Sequence, residues 1–224
     1  MYVLEGGARD PQSPFRLRGK IAAKTDRWAI DGTVGMINGH LYIVWSGWEG
    51  TENVRQDLYI AAMINPWTLT GERACLAVPE HSWEKLGPQW AGKGFSGGVL
   101  EGPEFLTHGG RIPIIYSANG SWTDDYCLGQ LTFTGGNPLD RASWRKMDKP
   151  VFSRTDKVFG PGHACFVRTA DGREDWIVYH AAKRKGSGWD RNVRAQPFGW
   201  DRDDSPHFGE PVPPGVPLER PRGD

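Results

Sequence analysis

Three side chains of the kind that exchange protons or hold ligands head apolar, glycine-bearing stretches of the 224-residue sequence: Asp31 in AIDGTVGMING, Glu101 in VLEGPEFLTHGG and His163 in GPGHACFVRTADG. A buried charge is costly unless it is paired or hydrogen-bonded, so each is either a turn ornament at the edge of a strand or a placed functional group. Their spacing favours placement. Asp31 precedes Asn38-Gly39 by 7 residues, Glu101 precedes Gly109-Gly110 by 8, and His163 precedes Asp171-Gly172 by 8.

Each of those tight-turn dipeptides opens a similar string. NGHLYIVWSGW, GGRIPIIYSANGSW and DGREDWIVYHAAKRKGSGW each give a turn, a strand, a patch of small residues and a Trp. The repeat runs at about 60–70 residues, the spacing of a unit that buries its faces by stacking on its neighbours. No apolar face at helical spacing with an N-cap is sustained, whereas short β-branched and aromatic runs bounded by Gly, Asn and Asp recur, so the chain reads as all-β.

Each unit has room for four strands, as at 31–37, 41–46, 58–64 and 73–78, which is one propeller blade with its innermost strand first. The reading is a single domain whose blades occupy 28–98, 99–160 and 161–224. Residues 1–27 supply two strand-like runs, MYVLEG and FRLRGKIA, joined by GARDPQSP, and read as the outer half of a further blade. About three and a half blades are then present, and the expectation is a propeller incomplete at its N-terminus, with an unpaired blade edge that promotes self-association. Innermost strands ring the channel, so Asp31, Glu101 and His163 are expected to meet at its mouth.

Lys and Arg number 27, as do Asp and Glu, and no long run of either sign appears, so nothing marks a nucleic-acid or anionic-membrane surface. A neutral partner fits better. Eleven Trp residues exceed ordinary usage; most would fill sheet cores, and Trp45, Trp48 and Trp122 are the candidates to stack on the C–H faces of a sugar. Cys75, Cys127 and Cys165 are odd in number and far apart, outside any thiolate zinc pattern, which favours a reducing compartment. The start MYVLEGGARD has neither a basic region nor an apolar run, and no segment approaches a membrane span; the expectation is a cytoplasmic protein. The sequon at Asn119 reads as a chance match. Motifs of zinc proteases, Walker loops and nucleophile elbows are absent from the sequence.

The strings DRWAIDGTV, EGPEFL, YSANGSWTDDYCLGQL with GPGHACF, and EDWIVYHA with NVRAQPFGWD resemble, in this order and over nearly the whole chain, the five-bladed β-propeller glycoside hydrolases of family 43, particularly the α-L-arabinofuranosidase-like members. The resemblance implies inverting hydrolysis of arabinose- or xylose-containing plant polysaccharides or oligosaccharides. It makes Glu101 the general acid and Asp31 the residue that orients the acid and tunes its pKa. It makes Arg194 an arginine that reaches the sugar or the acid. His163 becomes a channel histidine that helps hold a calcium ion through water, with no cofactor required. The general base has no counterpart, since its strand would precede Met1; Asp10-Pro11 matches it only superficially. Leu100 and Ala164 stand where related sequences often carry Asn, and Pro113 interrupts the second strand of the Glu101 blade.

Protonating a leaving oxygen suits a carboxyl kept neutral by apolar surroundings or a like charge, which VLEGPEF and Asp31 offer to Glu101. Glu104 is the competing donor, but strict alternation would turn it to the opposite face. The missing base leaves a rival reading, a non-catalytic carbohydrate-binding propeller or an inactive fragment. Interaction propellers of the WD or kelch kind lack support, because their shorter repeats and signatures are missing.

Overall fold

A computed structural model describes residues 1–7, 10, 12–86 and 97–222. Strands β1 (Tyr2–Glu5) and β2 (Arg16–Lys20) pair antiparallel as a two-stranded sheet. Ala8, Arg9 and Pro11, which fall between them in sequence, lie outside the described residues. Three four-stranded antiparallel sheets follow in chain order. The first holds β3 (Ala29–Ile37), β4 (His40–Gly47), β5 (Asp57–Asn65) and β6 (Thr68–Ala77). The second holds β7 (Leu100–Phe105), β8 (Pro113–Ala118), β9 (Cys127–Phe133) and β10 (Trp144–Lys146). The third holds β11 (Phe159–Arg168), β12 (Asp175–Ala182), β13 (Arg191–Trp200) and β14 (Pro206–His207). In each, the first strand in sequence lies at one edge and its successors follow outward, the order of a propeller blade.

Successive sheets stack face on face, and the alternation of side chains along a strand sends neighbouring residues into different cores. Tyr42 and Val44 of β4 join Ile114, Tyr116 and Ala118 of β8 between the first and second sheets. Ile115 and Leu128 meet Ile177, Tyr179 and Phe208 between the second and third. Ile43 and Trp45 turn the other way, onto Ile21 and the partly buried Met1 and Val3 beside the two-stranded sheet. Strands covered on both faces therefore read as continuous apolar runs, as in PIIYSA.

A buried ionic cluster ties the first sheet to the second. Glu84, in the short helical turn Ser82–Lys85, is fully buried. Its Oε1 accepts from the Tyr116 hydroxyl at 2.8 Å and from Lys146 Nζ at 2.9 Å, and its Oε2 accepts from the backbone N–H groups of Glu80 and His81. Lys146 also donates to the carbonyl of Val78 at 2.7 Å. A charge this deep is tolerable because so many of its hydrogen-bonding sites are used.

Candidate active site

The innermost strands β3, β7 and β11 share one local irregularity. In β3 the pairs Ile30↔Ser46 and Thr33↔Val44 enclose an extra residue; so do Glu101↔Ser117 and Glu104↔Ile115 in β7, and Gly162↔His180 and Cys165↔Val178 in β11. Each is a β-bulge, which bends the strand and re-aims its side chains. The residue that enters each bulge is left-handed: Asp31 at φ 54°, Gly102 at 52° and His163 at 52°. Side-chain-bearing residues rarely adopt this conformation, and it clusters at functional sites.

The bulges correct two expectations. By position in the bulge Asp31, Gly102 and His163 are equivalent, so Glu101 sits one residue earlier in its repeat than its supposed counterparts. The extra residue between Glu101 and Glu104 also resets the alternation, and Glu104 is not turned away. It lies deeper along the inner strands, where Thr33 Oγ1 donates to its Oε2 at 2.9 Å and its charge acts on Cys165.

The three candidates meet. Asp31 Oδ2 accepts the backbone N–H of Gly102, next to Glu101, at 3.1 Å, and Asp31 Oδ1 lies 4.0 Å from His163 Nε2. Tyr126, wholly buried just before β9, donates its hydroxyl to Glu101 Oε1 at 2.7 Å and lies 3.3 Å from His163 Nδ1. The His163 backbone N–H donates to Ser117 Oγ at 2.8 Å, which fixes the third bulge against the second sheet. Burial pushes the Glu101 pKa up; the Tyr126 hydrogen bond and His163 pull against the rise, and the Asp31 charge adds to it. The net direction is up, which favours the protonated form that a general acid needs.

Other candidates stand elsewhere. Trp45 is 4% exposed, packed on Tyr59 in the core beneath the two-stranded sheet, and borders a cavity of about 20 Å³ with Met1, Ile21 and Arg73. It is a core residue because β4 directs it away from the mouth. Trp48 lies at the mouth end of β4 with one face covered by Trp28, ring centroids 4.7 Å apart. Trp122 stands on the β8–β9 loop, tilted against Trp189 at 5.6 Å. Arg194 is opposite Tyr179 on the core-facing side of β13, with Nε enclosed and unpartnered, and makes no recorded bond to Glu101, Asp31 or His163. The arginine bordering the site is Arg191, three residues earlier and on the other face, which donates to the Gly160 carbonyl and to His180 Nδ1. Asp10 caps its own turn, accepting from the backbone N–H of Gln12 at 2.8 Å. Leu100 and Ala164 are buried in the two inter-sheet cores. Asn119 is buried too, donating to the carbonyls of Trp83 and Asp125, so its sequon is inaccessible.

Calcium takes six to eight oxygen ligands. Among the described residues no group of three or more His, Cys, Asp or Glu is placed to hold a metal, and Asp31, the carboxylate at His163, already accepts from Gly102. These residues do not fit a directly ligated calcium ion.

Tyr126, His180 and Arg191 escaped the sequence reading. The signal for Tyr126 was its neighbourhood: a tyrosine opening an apolar strand needs a partner for its hydroxyl, and Gly162 in GPGH supplies the room. A Cβ at Gly162 would fall 2.3 Å from that ring.

Blades in this order, with a carboxyl whose pKa burial raises and a second carboxylate beside it at the inner-strand bulges, define a β-propeller equipped for acid-assisted chemistry. The sequence profile of the glycosyl hydrolases of family 43 matches residues 1–206, and the chain belongs to that family. It is 36% identical to an extracellular exo-α-(1→5)-L-arabinofuranosidase of Streptomyces avermitilis, over 96% of this chain and 45% of that protein. It is 35% identical to α-L-arabinofuranosidase 43 of Humicola insolens, with the same coverage. The crystal structure of an α-L-arabinofuranosidase from Lactobacillus brevis superposes with a TM-score of 0.82 at 33% identity, covering 96% of this chain and 67% of that one. The chain thus spans less than half the length of these two sequence relatives.

Proposed function

We propose that the chain carries the acid half of an inverting glycoside hydrolase acting on arabinose- or xylose-containing plant polysaccharides or oligosaccharides, with an α-L-arabinofuranoside as substrate. The carrying observation is the Glu101 carboxyl, its pKa raised by burial, within one hydrogen-bonded group with Asp31 and His163. Glu101 gives its proton to the glycosidic oxygen as the bond to the anomeric carbon breaks. Asp31, held by Gly102 N–H, fixes the bulge beside the acid and disfavours its ionisation. Inversion needs a second carboxylate roughly 6.5–9.5 Å away to activate water. Asp10 is spent on its own turn, and the reading assigns the base to none of the described residues. Trp122, with Trp189 beside it, is the remaining candidate for stacking on sugar. No cofactor enters.

The partner is a neutral carbohydrate, in keeping with the names of the relatives; no nucleic acid or membrane is invoked, and no described helix is long and apolar enough to cross a bilayer. The three unpaired thiols support a reducing compartment, whereas the Streptomyces avermitilis relative is named extracellular, and fractionation of the producing cell separates the two.

General acid help matters most for poor leaving groups. Glu101→Gln should lower hydrolysis of an arabinobiose by about 10²–10⁴-fold while sparing a dinitrophenyl arabinofuranoside, whose leaving group departs without a proton. Equal losses on both substrates would overturn the assignment.

A further inference from the structure

We propose that Tyr126 is a positioning residue for the acid: its hydroxyl holds Glu101 Oε1, so that the transferable proton resides on Oε2. The inference deepens the reading of Glu101 as general acid and rests on it. A tyrosine hydroxyl has one proton to give, and here it points to Oε1 at 2.7 Å. Oε1 is thereby an acceptor, and a protonated Glu101 carries its own hydrogen on Oε2. Once that proton has passed to the leaving oxygen, the same bond falls on a full carboxylate and strengthens, so it favours the donating step.

The ring is built into place from four sides. Gly162 leaves room for it, as the 2.3 Å approach of a Cβ there shows. His180 of β12 stacks on it with centroids 5.7 Å apart and planes at 15°. The Arg191 guanidinium of β13 lies 5.7 Å from its centroid while donating to His180 Nδ1 and to the Gly160 carbonyl. His180 therefore accepts at Nδ1 as a neutral imidazole, and burial, the Arg191 charge and His163 hold its pKa down to about 4. On the hydroxyl side His163 Nδ1 is 3.3 Å away, and with the tyrosyl proton committed to Glu101 this nitrogen can only donate to the tyrosyl oxygen. The other charges around the acid are Asp31 on β3 and Glu104, deeper on β7; Asp124, in the β8–β9 loop, acts on Arg191. None of these supplies a second donor to Oε1.

The test is carbon-13 NMR of the whole chain carrying labelled Glu and Tyr, with Glu101→Gln identifying the Glu101 resonance. Tyr126→Phe removes a bond that favours the carboxylate, so the Glu101 midpoint should rise by about one pH unit. Gly162→Ala, which displaces the ring, should move it the same way. In the unaltered chain the Tyr126 ring carbon bearing the hydroxyl should titrate with the Glu101 midpoint, a readout that needs no variant. On an arabinofuranoside, Tyr126→Phe should carry the alkaline limb of kcat/KM upward by the same amount. A Glu101 midpoint unchanged or lowered in a folded Tyr126→Phe chain, or a Tyr126 carbon that stays flat through the titration, overturns the proposal. Equal losses of Glu101→Gln on the two arabinosides, with both NMR effects present, overturn the reading of Glu101 as the acid and leave the Tyr126 bond standing.

Discussion

The second and third sheets are built alike and end up in different surroundings. Every residue of β8 is buried, and β9 is buried up to its last residue, because cores lie on both faces. In β12 and β13 one face packs through Ile177, Tyr179 and Gln196, and the other is open over much of its length, with Val193 78% exposed and Val167 of β11 51%, Trp176 being buried there. Those outward residues are apolar, the same chemistry as in the second sheet without the cover. The difference divides the site. Glu101 and Tyr126 come from the sheet gripped on both sides, and His163, His180 and Arg191 from the sheet gripped on one.

The largest effects should fall in the gripped sheet. Lys146→Met leaves Glu84 buried and uncompensated and should cost about 3–5 kcal/mol, read as the denaturant midpoint. Ile115→Ala, which opens a cavity between the second and third sheets, should cost about 2–5 kcal/mol, whereas Val193→Ala on the open face should stay within about 0.5 kcal/mol. Equal losses at the two positions would erase the contrast.

The pH dependence sharpens it further. Glu101 has a folded pKa above its unfolded value, so its contribution is fully present below about pH 4.3 and is lost as pH rises through the folded value. Glu101→Gln should therefore be more stable than the unaltered chain at neutral pH and equal to it in acid. His180 has the opposite sign for its type. Its pKa is lowered to about 4, so its contribution is present above about pH 6.5 and lost as pH falls toward 4. Thermal melts between pH 4 and 7 should show a shallower acid loss in His180→Asn. The smallest effect concerns association. Val193→Lys should leave the melting temperature unchanged and lower the sedimentation coefficient if open faces pair between copies; an unchanged coefficient would mean that this face does not associate.

The fold was legible because its signals are local. Turn dipeptides, β-branched runs and a repeat of Trp-ended strands outlined three sheets. Asp31 and His163 were legible for the same reason, as polar residues heading inner strands. What escaped depends on register. An extra residue in each inner strand is invisible to a count of alternation, so Glu104 was wrongly turned away and Glu101 was matched to Asp31 instead of to Ile30. Arg194 and Arg191 differ only in which face of β13 they occupy, and Trp45 and Trp48 in where β4 ends. Tyr126 and His180 gain their roles from partners 25 or more residues away or 11 residues away, which no local pattern reports.

Glu101 and Glu104 both line the inner strands, and both have pKa values raised by burial. They differ in what holds them: Tyr126 beside Asp31 and His163 for one, Thr33 for the other. The direct measurement is kcat on an arabinobiose for Glu101→Gln and Glu104→Gln, each checked for native spectra. A loss of about 10²–10⁴-fold for the first, with less than about tenfold for the second, is the predicted result; the reverse order would place the acid at Glu104 and contradict the account.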